Sequence, residues 1–201
     1  MHFDNHTSTP CTLSHGVPQG SILGPILFLI YINDIVNSSR LDFIIYADDT
    51  CTFSSSSSIQ DLIRLANNEL VGIRNWIVLN KLTLNLAKTH YVIFHRNKKI
   101  PPSLPDITLG GSVIKREFTT KFLGVYLESP LRWKSHINHI QSKISKQCGL
   151  MYHSKQALNE QARKQIYYSL IYPHLTYCQT VWGATHATTL KPLLVAQKTL
   201  Y

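Results

Sequence analysis

The sequence predicts an α+β protein, and three observations carry that expectation. The first 130 residues hold short β-prone runs closed by turn residues, of which FIIYADDT (43–50) is the sharpest. Residues 59–77 repeat apolar side chains at helical spacing. After Pro130 the strand-like runs stop, and basic, amphipathic helical segments follow.

Taken in order, residues 14–21 (SHGVPQGS) hold two glycines and a proline, which predicts a shaped loop. Ser21 is a candidate N-cap for a mostly apolar helix running to about Val36, with Pro25 in the first turn, where proline is tolerated. Leu41–Tyr46 and Thr50–Phe53 read as the strands of a hairpin around Ala47-Asp48-Asp49. The serine run Ser54–Ser58 is a solvated lead into the next helix. There Ile59, Leu62, Ile63, Ala66, Leu70, Ile73 and Ile77 make one apolar face. Tyr91–Phe94 reads as a strand, 100–114 as a loop or loose hairpin, and Phe118–Leu127 as a strand pair turning near Gly124. Helices are expected over about 133–156, 159–171 and 187–200, with Pro173 breaking the chain between the second and third. The composition change places a domain boundary near 129–131, giving units 1–129 and 130–201.

The charge divides the same way. Lys and Arg exceed Asp and Glu by 11 − 10 = +1 over residues 1–130 and by 9 − 1 = +8 over 131–201, where Glu160 is the one acid. A basic tail suggests a polyanionic partner, most often nucleic acid, although a solvated basic surface has the same composition. The four cysteines (Cys11, Cys51, Cys148, Cys178) form no C-x-x-C pair, which suggests reduced intracellular thiols. The spacing of His136, His139, Cys148 and His153 matches no usual zinc pattern. Ile22–Ile32 is too short to cross about 30 Å of hydrocarbon and lies too deep for a secretory signal, so it is expected to be a buried helix and no membrane association is expected.

The paired aspartates pose the chemical question. Two adjacent carboxylates at a strand tip repel unless cations neutralise them. Aspartates that hold divalent ions are the usual device for in-line phosphoryl transfer, although Asp-Asp can also serve as turn residues alone. Upstream, Gly16-Val17-Pro18-Gln19-Gly20-Ser21 lets backbone approach a phosphate or sugar at a helix start. Downstream, Lys81 and Lys88 could bind or protonate a leaving pyrophosphate, or merely complement a helix C-terminus. Phe122-Leu123-Gly124-Val125 is a tight apolar hairpin ahead of Leu131-Arg132-Trp133-Lys134-Ser135-His136-Ile137.

In this order and spacing the segments resemble the reverse transcriptase of non-LTR (LINE-type) retrotransposons. GVPQGSILGPILFLIYINDI looks like that family's nucleotide-pocket loop and helix, and YADD like its catalytic hairpin. NKLTLN with KT looks like the next palm element, and FLGV with LRWKSHI like the primer grip and thumb entry. IYYSLIYPHLTYCQTVWG is similar to the thumb side. Nearly the whole chain is covered. A viral RNA polymerase or a group II intron maturase also bears an Asp-Asp hairpin, but NKLTLN and FLGV fit the retrotransposon family better.

The resemblance implies a partial right-hand polymerase palm over 1–129, a split βαβ with an antiparallel sheet and helices on one face, followed by an α-helical thumb over 130–201. It implies an RNA-directed DNA polymerase acting on RNA template, DNA primer and dNTP with two Mg²⁺ ions, Mn²⁺ being the substitute. Asp48 and Asp49 would hold the metals, with Lys88 near the triphosphate. Gln19, Gly20, Tyr46 and Ala47 would line the nucleotide pocket. Phe122, Leu123, Gly124 and Val125 would grip the primer, and Arg132, Lys134, Lys143 and Lys146 would track the backbone. Glu128 stands where many relatives carry aspartate. The family's further metal-binding aspartate is expected well upstream of Gly16; Asp4, the one acid before that glycine, is too close to serve. By itself the chain is therefore expected to lack polymerase activity and to expose core surface, and the alternative is a non-catalytic remnant binding RNA or DNA through its basic thumb.

Overall fold

The computed structural model describes residues 2–3, 6–7, 16–17, 20–95, 103–153 and 157–198, and shows a mixed helix-and-strand protein. Contacts group the chain into two compact units, Met1–Lys88 with Ser103–Ile114, and Thr89–Pro102 with Lys115–Tyr201. These units do not divide where the composition changes: the strand pair before Pro130 belongs with the helices after it.

In the first unit, a short ladder pairs β1 (His2–Phe3) with β2 (His6–Thr7). Helix α1 (Gly24–Ile32) follows, with Ser21 Oγ accepting from Gly24 N at 3.1 Å and Pro25 in the opening turn, where its lacking N–H costs nothing. A 3₁₀ segment, Asn33–Ser38, completes the expected helical stretch. Strands β3 (Asp42–Tyr46) and β4 (Asp49–Phe53) form an antiparallel hairpin. Helix α2 (Ile59–Leu79) is capped by Ser58, whose Oγ accepts from Asp61 N at 3.3 Å. Its seven expected core positions are all buried or half-buried, with Ile63 and Ile73 the deepest.

The core of this unit gathers Ile32, Ile35, Leu41 and Ile73, with Phe28, Phe43, Ile45 and Trp76 packed around them. Glu69 of α2 ties in the approach to β3: its Oε2 accepts from Arg40 N at 2.6 Å and from Ser39 Oγ at 3.0 Å. The Arg40 amide is the chief reason the Glu69 carboxyl sits below its ordinary range; the Ser39 hydroxyl and Arg40 charge add to this against partial desolvation. Gly72 lets α2 approach the 3₁₀ segment, because a Cβ there would overlap the Ser38 carbonyl oxygen.

One expectation is corrected here. The apolar helix Ile22–Ile32 was expected to be buried, yet Ile26, Leu27, Leu29 and Ile30 are each at least half exposed. Gly24 and Ile32 are buried and Phe28 half-buried, a single i, i+4, i+8 stripe. An all-apolar sequence fixes no inward face of its own, so the packed stripe is set by the 3₁₀ segment and α2 instead.

The end of α2 is a Schellman motif. Leu82 N donates to Ile77 O and Lys81 N to Val78 O, both at 3.0 Å, and Lys81 takes the left-handed conformation (φ 55°) usually given to glycine. Strands β6 (Thr108–Leu109) and β7 (Ser112–Val113) then make the expected loose hairpin, turning at Gly110 and Gly111, whose φ values are 64° and 84°. Asn67 of α2 pins it, accepting from Thr108 N at 2.8 Å and donating to Asp106 O at 2.9 Å.

The second unit starts with β5 (His90–Tyr91), shorter than expected, paired in parallel with β8 (Lys115–Arg116). Strands β9 (Thr119–Phe122) and β10 (Val125–Glu128) form a hairpin turning at Leu123 and Gly124, both at positive φ. Helix α3 (Lys134–His153) carries the core residues Ile137, Ile140, Ile144 and Met151. These pack with Ile171, Trp182 and Leu193 from α4 through α7.

Glu128 caps α3: its carboxylate accepts from Lys134 N at 2.6 Å, from Ser135 N at 3.3 Å and from the Ser135 hydroxyl. Helix α4 (Glu160–Ile166), capped by Asn159, runs through a π turn (Tyr167–Ile171) into α5 (Tyr172–Thr176). Pro173 was expected to break the chain, but it sits in the first turn of α5, where its absent N–H leaves no bond unmade. The break comes at Tyr177–Cys178, where Cys178 has φ 50°, before α6 (Gln179–Trp182) and α7 (Ala187–Lys198). The expected helix residues 154–156 and 199–200 lie outside the described residues.

The expected antiparallel sheet is also modified. Among the described residues every ladder has two strands, and β5–β8 is parallel. The β3–β4, β6–β7 and β9–β10 ladders are hairpins, each closed by a local turn, and they are joined into no wider sheet among the described residues. Among the described residues no helix is long and apolar enough to cross a membrane.

Candidate functional site

The Asp-Asp site is a two-residue hairpin turn. Tyr46 faces Asp49 across the ladder, Ala47 and Asp48 form the turn, and Asp49 is the first residue of β4 rather than part of the loop. Ala47 takes φ 51°, a conformation that costs an alanine about 1 kcal/mol and that such tight turns require. The pleat then divides the side chains. Phe43 and Ile45 pack on the core, while Ile44, Tyr46 and Asp49 share the other, exposed face. The strand is thus buried on one side only. Tyr46, Ala47, Asp48 and Asp49 all present to solvent, with Tyr46 62% exposed.

Asp48 and Asp49 are thus adjacent carboxylates open to solvent, and among the described residues neither enters a salt bridge. Hard divalent cations, Mg²⁺ above all, bind through one or two carboxylates and fill the rest of their shell with water and phosphate oxygens. Asp48 and Asp49 fit that donor chemistry. Among the described residues no group of three or more His, Cys, Asp or Glu side chains could hold a metal.

The other expected residues lie as follows. Gly20 has φ 85°, a backbone only glycine adopts freely, while Gln19 and Asp4 lie outside the described residues. Lys88 is exposed in a turn, its N–H held by Asn85 O at 3.1 Å. Lys81 terminates α2, so its backbone has a structural task independent of chemistry.

In the second unit, Phe122, Leu123, Gly124 and Val125 form the β9–β10 turn. Leu123 O accepts from the Tyr177 hydroxyl at 2.6 Å, and a Cβ at Gly124 would press within 3.2 Å of the Tyr177 ring. Arg132 precedes α3, Lys134 opens it, and Lys143 and Lys146 are exposed along it.

Sequence reasoning missed a cavity of about 200 Å³ in the second unit, lined by Lys121, His136, His139, Lys143, His174 and Tyr177 among others. His136 and His139 come together there with His174. Cys148 lies instead against Ala196, and His153 against Tyr152. The signal was present in the spacing: positions 136, 139 and 143 share one face of a helix. Burial is the main cause holding all three imidazoles below their ordinary range. The charge of His139 adds to this at His136, those of Lys143, Lys121 and His174 at His139, and that of Lys143 at His174.

Comparison with known proteins bears on both regions. Residues 1–127 match the family described as reverse transcriptase (RNA-dependent DNA polymerase). The RNA-directed DNA polymerase from mobile element jockey of Drosophila funebris is 28% identical over 90% of this chain, and that of Drosophila melanogaster 28% identical over 98%. The probable RNA-directed DNA polymerase from transposon X-element of Drosophila melanogaster is 23% identical over 98%. The chain spans about a fifth of the length of these relatives, 21% and 22% for the two jockey proteins. No solved structure matches it. The matched segment includes the YADD hairpin and the GVPQGS loop, and the chain belongs to the reverse transcriptase family, among the enzymes of non-LTR retrotransposons.

Proposed function

We propose that this chain is the part of an RNA-directed DNA polymerase that presents the catalytic carboxylates, with a palm over 1–129 and a basic thumb over 130–201. The observation that carries the reading is the exposed two-residue turn that sets Asp48 and Asp49 side by side at the family's YADD motif. The reaction is attack of a primer 3′-hydroxyl on the α-phosphate of a dNTP, with pyrophosphate leaving, directed by an RNA template. A divalent cation held by Asp48 and Asp49 would offset the charge on the reacting phosphate.

The chain's own residues supply position. Tyr46 and Ala47 support the incoming nucleotide, Gly20 and Gln19 let backbone and amide approach its base and sugar, and Lys88 meets the triphosphate charge. Residues 122–125 hold the primer end, while Arg132, Lys134, Lys143 and Lys146 follow the phosphate backbone, an attraction that must weaken steeply with salt. Nucleic-acid substrates of this kind place its work inside the cell.

Mn²⁺ titration with amide NMR, joined to primer extension on RNA, tests the reading. Paramagnetic broadening should concentrate at residues 46–50 and fall in Asp48→Asn. Extension by the 201-residue chain alone should be at background, since the described residues bring no third ligating side chain to the pair. Broadening no stronger at the hairpin than at exposed Asp61, or extension that survives Asp48→Asn, would overturn it.

A further inference from the structure

The cavity beside the β9–β10 hairpin is built for an anion. Its wall carries two ammonium groups, Lys121 and Lys143, three imidazoles and the Tyr177 ring, with no carboxylate among the described lining residues. A cation entering that space is repelled by both lysines, whereas an anion is attracted by both. At about 200 Å³ it has room for a phosphate-sized group and several waters, each needing roughly 30 Å³.

His136 supplies a second, independent observation. It is 2% exposed, and its Nδ1 accepts from Tyr126 N at 3.4 Å. The neutral ring therefore carries its proton on Nε2, a buried donor that has no acceptor among the described residues. Such a group is costly in a finished interior, and His136 lines the cavity. The neighbouring rings are held in place: His139 packs on Tyr126 with centroids 4.8 Å apart, and Lys121 Nζ lies 5.9 Å over the same Tyr126 ring.

We propose that this cavity is a phosphate-binding site in which Lys121 and Lys143 supply charge, His139 and His174 donate hydrogen bonds, and His136 forms the buried wall. The group bound is a tetrahedral phosphate, either a diester of a nucleic-acid strand or a free phosphate ion. Binding is coupled to proton uptake. The imidazoles, two on α3 and His174 on α5, share the cavity with Lys121 of β9, Lys143 of α3 and Tyr177 after α5, while Tyr126 of β10 packs on His139. Burial is the chief cause holding all three below their ordinary range; Lys143 and Lys121 add to it at His139 and Lys143 at His174, and an anion removes that electrostatic part. The proposal shares Lys143 with the backbone contacts proposed above but uses neither Asp48 nor Asp49, so failure of the Asp48–Asp49 reading leaves it intact.

Histidine-resolved NMR titrations of the full chain with sulfate, orthophosphate and decathymidylate test it. Sulfate keeps its charge between pH 5.5 and 7.5, so any pH dependence belongs to the protein. Sulfate should bind more tightly at pH 5.5, by up to about tenfold per pH unit for each proton taken up. Lys143→Gln and His174→Asn should each weaken sulfate and orthophosphate by about tenfold or more, while Lys191→Gln, outside the cavity, should not. Decathymidylate affinity that falls with the same two variants identifies the diester as the natural occupant; affinity they leave unchanged identifies free phosphate. Sulfate binding that ignores pH, or that Lys191→Gln weakens as much as Lys143→Gln, overturns the site.

Discussion

Replacing Gly72 with alanine should loosen the unit that carries the Asp48–Asp49 hairpin. In an ordinary helix interior the exchange gains about 1 kcal/mol, because glycine is the poorer helix former. At Gly72 the new methyl would overlap the Ser38 carbonyl oxygen and stand 3.3 Å from its carbon. A backbone carbonyl cannot swing aside as a side chain can, so the 3₁₀ segment or α2 must shift, at the upper part of the roughly 1–3 kcal/mol range for overpacking. The net loss should be about 1–2 kcal/mol, which speeds amide exchange in 59–79 by about five- to thirtyfold. Gly149→Ala is the control: it lies inside α3 with nothing within 4 Å of the new Cβ, so exchange there should slow by about two- to fivefold. Hydrogen exchange read by mass spectrometry resolves the two helices separately. Unchanged or slower exchange in Gly72→Ala would refute the close approach of α2 to Ser38.

Further outcomes follow from the same contacts. Lys81→Gly should stabilise the first unit by about 1 kcal/mol in urea titration, because it relieves a left-handed lysine; destabilisation would deny the Schellman geometry. Glu128→Ala should cost about 1 kcal/mol by uncapping α3, lowering the melting temperature by about 2–4 °C, while Glu128→Gln should recover part of the loss. For pH the sign is set by three imidazoles held below their ordinary pKa of about 6.5 in the folded chain. The unfolded chain then binds protons more readily. This contribution is therefore complete above pH 6.5 and is lost as pH falls through the folded values. Melting curves between pH 7.5 and 5 should show it, sulfate should partly restore stability at the acid end, and a flat profile would count against the buried imidazoles.

Much of this was legible from local chemistry. The α2 face was readable because its apolar residues recur at helical spacing, whereas Ser21, the expected N-cap, lies two residues before the actual N-cap Leu23, and the Ser58 cap lay inside a serine run read only as a solvated lead. The YADD turn was visible, though not that Asp49 belongs to the strand, since one-residue register rests on backbone pairing rather than side-chain type. The direction of α1 was hidden because every face of ILGPILFLIYI is apolar. Pro173 misled because a π turn before it moved the proline into a first turn, which sequence does not announce. The histidine cavity joins residues 121, 136–143 and 174, and proximity between separate elements leaves no local pattern. Glu128, noted only as a departure from its relatives, turned out to hold the start of α3.

The hydroxyl of Tyr177 reaches Leu123 O across 54 positions of chain. Glu128, at the base of the same hairpin, grips the opening of α3. The hairpin is therefore clamped at both ends to the helices, and it cannot report its own motion without reporting theirs. A twist of the segment around Tyr177 is relayed as a displacement of one backbone carbonyl at the hairpin tip, and strain at the tip travels back by the same rod. Insertions in this region should be tolerated only where they leave both clamps the same distance apart.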